Sequence, residues 1–171
     1  MKITGGSLRG RIIPGKVPSG VRPTAARVRE ALFSMTGQDL SGWSVLDAFG
    51  GSGLLGFEAY SRGASVVIVE RRRAVSRQIQ QAARSLGADV EIRTADARVV
   101  LADGVWDLIL MDPPYAHPPS DWIRRAAPAV GSWLVIEHDS SARIPEQVEG
   151  LALDRQRRYG DTTLSLFEKT R

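Results

Sequence analysis

Residues 45–56 read Val45-Leu46-Asp47-Ala48-Phe49-Gly50-Gly51-Ser52-Gly53-Leu54-Leu55-Gly56, and this stretch decides the fold. A short apolar run ends in an acid, breaks into glycines, and restarts as an apolar-periodic segment with Gly56 in its first turn. A strand that stops at glycines and resumes as a helix leaves backbone N–H groups exposed at a positive helix terminus. Gly51, Gly53 and Gly56 fit G-x-G-x-x-G, and Glu70 follows Gly51 at about the 20-residue spacing of a nucleotide-binding βαβ unit. The glycines permit a tight turn and let a ligand lie against bare backbone. The pattern points to an adenosine-containing cofactor. It does not choose between a dinucleotide and S-adenosylmethionine.

Downstream, strands alternate with helices. The first helix is expected from Gly53 to about Arg62, and a second strand, SVVIVE, closes on Glu70. Val75, Ile79, Ala82 and Leu86 then form one helical stripe. The third strand is DVEIRT with Asp96 just past it. The fourth is WDLILMD, ending at Asp112 and followed at once by Pro113-Pro114-Tyr115. Trp122, Ile123 and Ala126 mark a further helix, SWLVIEH a fifth strand, and 151–159 with 162–168 an antiparallel hairpin across Gly160-Asp161. Alternating βα units imply a mostly parallel sheet with right-handed crossovers, to which an antiparallel edge is commonly added.

Upstream, KITGGSLRGRII (residues 2–13) reads as a short hairpin with a Gly-rich turn, and the alternation of Arg9 and Arg11 puts both on one face. Thr24 is placed to cap a helix with Ala25, Val28, Leu32 and Met35 at 3–4 spacing, leaving Arg27, Arg29 and Glu30 on its other face. Residues 1–41 therefore read as an extension, and 42–171 as the cofactor-binding domain.

At 171 residues the chain suits one domain with a small appendage. It has no cysteine, which excludes disulfides and thiolate metal sites and fits a reducing cytoplasm. Two histidines, His117 and His138, make an imidazole-built metal centre improbable, and Glu137-His138-Asp139 reads as a capped strand end; no metal is expected. No apolar run approaches the roughly 20 residues of a membrane span, and the start MKITGGSLRGR lacks a signal-peptide core. The net charge of +4 is unevenly placed. Residues 1–36 hold seven basic groups against the single acid Glu30, so the remainder is slightly acidic. A basic end rich in arginine on such a body points to a polyanion docking there.

In open α/β sheets ligands bind beyond the carboxyl ends of the strands, and here four successive strands end at an acid: Asp47, Glu70, Asp96 and Asp112. Singly, each reads as a strand terminus or helix cap; together with the Gly-rich loop they read as a site. Glu70 is placed for the ribose hydroxyls and Asp96 for an adenine amino group. Asp47 is placed either for the cofactor's amino-acid end or to orient the loop. Asp112-Pro113-Pro114-Tyr115 discriminates between chemistries. Two prolines fix the backbone and remove N–H donors, leaving the Asp112 carboxylate and the Pro113 carbonyl as paired acceptors. Paired acceptors match an exocyclic base amine, whose lone pair is then freed to meet an electrophilic methyl, with Tyr115 stacked on the base. A hydride-transferring enzyme needs none of this, so a nicotinamide-dependent oxidoreductase is the weaker alternative.

These motifs resemble those of class I S-adenosylmethionine-dependent methyltransferases that act on amines. TGGSLRGR, RPTAARVREALF and RRYGDTTLSLF are similar, more particularly, to the bacterial 16S rRNA guanine-N2 methyltransferase family, over nearly the whole chain. The resemblance implies a Rossmann-like sheet of seven strands with an N-terminal hairpin-plus-helix extension, and S-adenosylmethionine as cofactor. It implies a cofactor site of Asp47, Phe49, Gly50, Gly51, Ser52, Gly53, Glu70, Arg71, Asp96 and Ala97, and a catalytic clamp of Asp112, Pro113 and Tyr115. Arg9, Arg11, Arg22, Thr24 and Arg27 are the expected RNA contacts. The implied substrate is 16S rRNA in a partly or fully assembled small subunit, met by a cytoplasmic monomer with no membrane partner. An adenine-N6 methyltransferase on DNA or RNA is the rival, since D-P-P-Y suits any such amine. Glu70-Arg71-Arg72-Arg73 departs from the family's habit of a second acid or small polar residue after the ribose acid.

Overall fold

The computed structural model describes residues 1–15, 25–114 and 116–170. Arg22, Thr24 and Tyr115, all expected site residues, lie outside them. The chain follows the order α1 (Ala26–Thr36), β1 (Ser44–Asp47), α2 (Leu54–Ser61), β2 (Ser65–Val69), α3 (Arg73–Leu86), β3 (Glu91–Arg93), α4 (Ala97–Leu101) and β4 (Trp106–Met111). Then come α5 (Pro119–Ala126), β5 (Val130–Asp139), β6 (Gln147–Val148), β7 (Leu151–Tyr159) and β8 (Thr162–Lys169).

One sheet runs in the order β3-β2-β1-β4-β5-β8-β7-β6. The first five strands in that order are parallel; β8, β7 and β6 are antiparallel. The expected seven strands thus become eight. The addition is Gln147–Val148, which pairs only with Leu151 and Ala152. Two residues carry no periodicity that a sequence reading can detect. The strand order reverses between β1 and β4, so the crevice at their carboxyl ends is where an open α/β sheet binds ligands.

The strands are apolar on both faces because helices cover both. On one face Val45, Leu108, Leu110, Val135, Leu164 and Leu166 pack against α1, α2, α3 and the N-terminal segment. On the other, Leu46, Ile109, Leu134, Ile136 and Phe167 pack against α4 and α5. Alternate residues of β1, β4 and β5 serve opposite layers, as the two-residue repeat of a strand requires. Each fully buried large side chain, such as Phe57 or Phe33, contributes about 1.5–3 kcal/mol.

The N-terminal segment differs from the sequence expectation in three respects. Only one bridge, Lys2 to Ile12, closes the hairpin, and residues 7–10 form a turn. Arg9 therefore stands in the turn, and the alternation with Arg11 does not apply. The N-cap of α1 is Ala25, whose side chain makes no capping hydrogen bond, in place of Thr24. Arg29, expected on the solvent face, is buried. Its Nε meets Glu58 Oε1 at 3.1 Å and its Nη2 donates to the Lys2 carbonyl at 2.8 Å. Glu58, wholly buried in α2, also accepts from Arg62 and from the Thr4 backbone N–H at 2.9 Å. The α1 helix is enclosed both by the sheet and by residues 1–13, so its solvent stripe is narrower than its pattern suggests.

Candidate active site

The stretch 47–56 folds as its glycines demand. Gly53, at φ +77, is the left-handed N-cap of α2, a conformation open to few other residues. A Cβ on Gly56 would stand 2.5 Å from Ile68 Cδ1, so helix and strand approach closely only because that position is bare. Two acids hold the loop. Asp47 Oδ2 accepts from the Gly56 N–H at 2.9 Å and its Oδ1 from the Phe49 N–H at 3.4 Å. Glu70 Oε2 accepts from the Gly51 N–H at 3.1 Å, while Oε1 accepts from Arg72 N at 2.8 Å and Nε at 3.2 Å. Of the two roles read for Asp47, orienting the loop is the one these bonds perform. Ser52 lies half-buried in the loop beside buried Gly50, and Arg71 is exposed next to Glu70.

Asp96 does what a short polar residue before a helix commonly does. It N-caps α4, its Oδ1 accepting from the Arg98 N–H at 2.9 Å, and Ala97 is buried behind it. Phe49 meets the ring of Trp122 edge-on, with centroids 4.9 Å apart at 87°, which ties the glycine loop to α5.

Asp112 follows β4 directly and is half-buried, while Pro113 is buried. Burial, then the charges of Glu137 and Asp47, push the Asp112 carboxyl up to about 8. Asp47 is pushed up to about 7 by burial, against its two backbone hydrogen bonds, with the Glu70 charge adding to the rise. Asp47, Asp112 and Glu137 therefore bring several carboxyls to one low-dielectric edge, where Glu70 pairs with Arg72. That donor set suits a positively charged ligand such as a sulfonium, and the residues fit S-adenosylmethionine on that ground.

Glu137 is the site residue that sequence reasoning missed. Met111, the last residue of β4, pairs with Ile136, so Asp112 stands beside Glu137, which lies within β5. An acid near the carboxyl end of the fifth parallel strand is the available signal. Beside Asp112, Pro113, Pro114, His117, Pro118, Glu137 and His138 line a concavity of about 350 Å3, within the range of small-ligand pockets. His138 itself is a core residue. Its Nε2 bonds Ser165 Oγ at 2.7 Å and its Nδ1 the Asp139 carbonyl at 2.8 Å, and burial lowers its pKa. Among the described residues no cluster of three or more acids, histidines or cysteines could hold a metal ion.

The expected RNA contacts do not all meet. Arg27 is exposed, its guanidinium 5.4 Å from the centre of the Tyr159 ring, at the carboxyl edge where Thr162 pairs with Asp139. Arg11 reaches the Ser85 carbonyl, at 3.4 Å, near the end of α3 that leads into β3 at the opposite edge. Arg9, exposed, lines a concavity with Lys2 and the start of α1.

A parallel sheet reversed at β1 and β4, a glycine loop gripped by two acids, and an acid followed by two prolines define a Rossmann-like, class I methyltransferase architecture. The family described as "Conserved hypothetical protein 95" matches residues 1–168, and the chain belongs to it. "Ribosomal RNA small subunit methyltransferase D" of Escherichia coli (strain K12) is 37% identical over 183 residues, covering 99% of this chain and 90% of that one. A Bacillus subtilis relative, "Putative rRNA methyltransferase YlbH", is 28% identical over 182 residues and 99% of both chains. The solved "Putative methyltransferase yhhF from Escherichia coli" superposes with a TM-score of 0.87 at 30% identity, over 99% of this chain and 98% of that one.

Proposed function

We propose that this protein methylates the exocyclic N2 amine of a guanine in small-subunit rRNA, with S-adenosylmethionine as donor. One observation carries the reading: an acid-Pro-Pro segment leaves β4 beside the glycine loop, within a carboxyl-rich edge. The names of the full-length relatives favour rRNA over a DNA substrate and over the nicotinamide alternative. Residues 1–41 serve as an RNA-docking extension and 42–171 as the cofactor-binding domain. Asp47, Phe49, Gly50, Gly51, Ser52, Gly53, Glu70, Arg71, Asp96 and Ala97 surround the cofactor. The substrate is presented in a partly assembled small subunit, and a monomer works in the cytoplasm. Among the described residues no helix is long and apolar enough to cross a membrane.

When bound, S-adenosylmethionine supplies an electrophilic methyl group on a positively charged sulfur. The protein's own contribution is position and polarity. A guanine rotated out of its stack enters the concavity bounded by Pro113, Pro114 and Glu137, with Tyr115 against the base. A positive charge bound beside Asp112 favours its ionised form, and the Asp112 carboxylate and Pro113 carbonyl then accept the two amine hydrogens and turn the nitrogen lone pair toward the cofactor. Holding the amine within about 3 Å of its target, with acceptors already in place, lowers the barrier most. The proton released after transfer goes to Asp112, whose raised pKa suits it to receive one, or to water.

The test is incubation with tritiated S-adenosylmethionine and partly assembled small subunits lacking this methylation, followed by nucleoside analysis. Label is expected in N2-methylguanosine; label in N6-methyladenosine would overturn the substrate while keeping the chemistry. Asp112→Ala should lose turnover and keep cofactor affinity by calorimetry. Equal loss of both would remove Asp112 from the clamp.

A further inference from the structure

We propose that the outer half of β7, with Arg155, Arg157 and the Tyr159–Arg27 pair, is a track for the RNA backbone leading to the Asp112 edge. The inference rests on the rRNA-modifying reading above. The pairing Arg155 to Leu166, Arg157 to Leu164 and Tyr159 to Thr162 puts all three side chains on the sheet face that carries α1. Leu153, however, pairs with Phe167, which serves the other layer. An irregularity between Leu153 and Arg155 makes Asp154 the extra residue and switches the face. Without it Arg155 and Arg157 would point to the α5 side. Successive members stand two residues apart, about 7 Å along the strand. The line rises toward the carboxyl edge, since Tyr159 and Thr162 lie beside the end of β5.

A blander account is that arginines simply guard an edge, because β6 covers only Leu151 and Ala152. Three features favour RNA. Arg155 and Arg157 are exposed, Arg157 makes no ion pair among the described residues, and Arg155 pairs only loosely with neighbouring Asp154, at 3.6 Å. The end nearest the site is a guanidinium on an aromatic ring, a surface on which bases stack and phosphates bind. The site edge itself gathers the acids Asp47, Glu70, Asp112 and Glu137, which offer a phosphate chain no attraction. Attraction for the RNA backbone must come from a basic flank.

The experiment compares the full chain with Arg155→Gln/Arg157→Gln, and with Arg84→Gln on distant α3 as a control. Binding of a fluorescein-labelled small-subunit rRNA fragment and kcat/KM on partly assembled subunits are each measured from 50 to 200 mM salt. Loss of two phosphate contacts should lower the log–log salt slope by about 2, so the parent loses about tenfold more affinity than the variant over that range. KM should rise while kcat and cofactor affinity hold, and Arg157→Lys should retain part of the slope. A slope unchanged in the double variant overturns the track, whether or not light scattering shows edge-paired dimers. If the parent makes no N2-methylguanosine and the binding slope still falls in the variant, the track stands and the proposed activity fails. A methylating parent with an unchanged variant slope means the reverse.

Discussion

Replacing Asp112 by asparagine should stabilise the cofactor-free protein while removing its activity, and the stabilisation should grow with pH. Below about pH 4 this carboxyl is protonated both in the folded protein and in the unfolded chain. Between there and about 8 the unfolded chain has released the proton and the folded protein still holds it. The folded state binds more protons across that window, so its stability falls by up to about 1.4 kcal/mol per pH unit, and the loss is complete above about 8. Four units would set a ceiling of about 5–6 kcal/mol. Asp112, Glu137 and Asp47 share the repulsion, so one substitution recovers only part of it, about 2 kcal/mol at pH 8. For a chain of this length that corresponds to a melting point roughly 4–8 °C higher.

The assay is urea denaturation of parent and Asp112→Asn at pH 5, 6.5 and 8, without cofactor. The difference should widen steadily with pH. Methyl transfer should fall by about 100-fold or more, because the amide turns a donor toward a substrate that needs two acceptors. A stability difference that is flat from pH 5 to 8, or a variant less stable than the parent at pH 8, would refute the reasoning. It would mean that the Asp112 carboxylate is solvated or paired.

Two further substitutions test how the loop and the extension are held. Gly56→Ala should lower stability by about 1–2 kcal/mol and weaken cofactor binding. The helix gains up to about 1 kcal/mol, but the new Cβ stands 2.5 Å from a wholly buried Ile68 and 3.3 Å from Asp47 Oδ2. Calorimetric titration and urea midpoints check both effects, and a stabilised variant would contradict the close approach. Glu58→Gln should cost about 3–5 kcal/mol, since Arg29 and Arg62 would lose their shared buried counter-charge. Limited proteolysis should then cut within residues 1–13, and an unchanged midpoint with a resistant N-terminus would show that the network is not needed.

The residues that specify the glycine loop announce themselves because their constraint is local. Gly53 needs a left-handed backbone, and a turn of this kind admits few alternatives. The parallel core was equally legible, since apolar runs that end in acids recur at βα spacing. What escaped depends on neighbours far apart in sequence. Glu137 belongs to the site only because β5 lies beside β4 in register. Arg29 lies inside only because residues 1–13 fold over α1 and present the Lys2 carbonyl to it. The cap that Asp96 places on α4 is local and follows from a polar residue standing just before a short helix. The Arg155–Tyr159 stripe took its face from a single extra residue, which no period-two count anticipates.

The separation of charge over this surface follows from the two chemistries it must serve together. An amine and a cationic cofactor are best met by carboxyls in a low-dielectric crevice, where each uncompensated charge acts strongly. An RNA backbone is best met by exposed arginines, which neutralise phosphates while remaining hydrated. Mixing the two sets would cancel both, because a guanidinium beside Asp47 and Asp112 would pull their pKa values down and occupy the acceptors. The fold keeps them apart by depth. The acids lie at the ends of buried parallel strands, and Arg155 and Arg157 stand exposed on the outer strand β7 of the antiparallel addition. With screening over about 8 Å at physiological salt, the exposed charges attract RNA over the outer surface yet act little on the buried carboxyls. The antiparallel hairpin at the end of the sheet is therefore more than an edge cover: it supplies the sign of charge that the catalytic edge cannot carry.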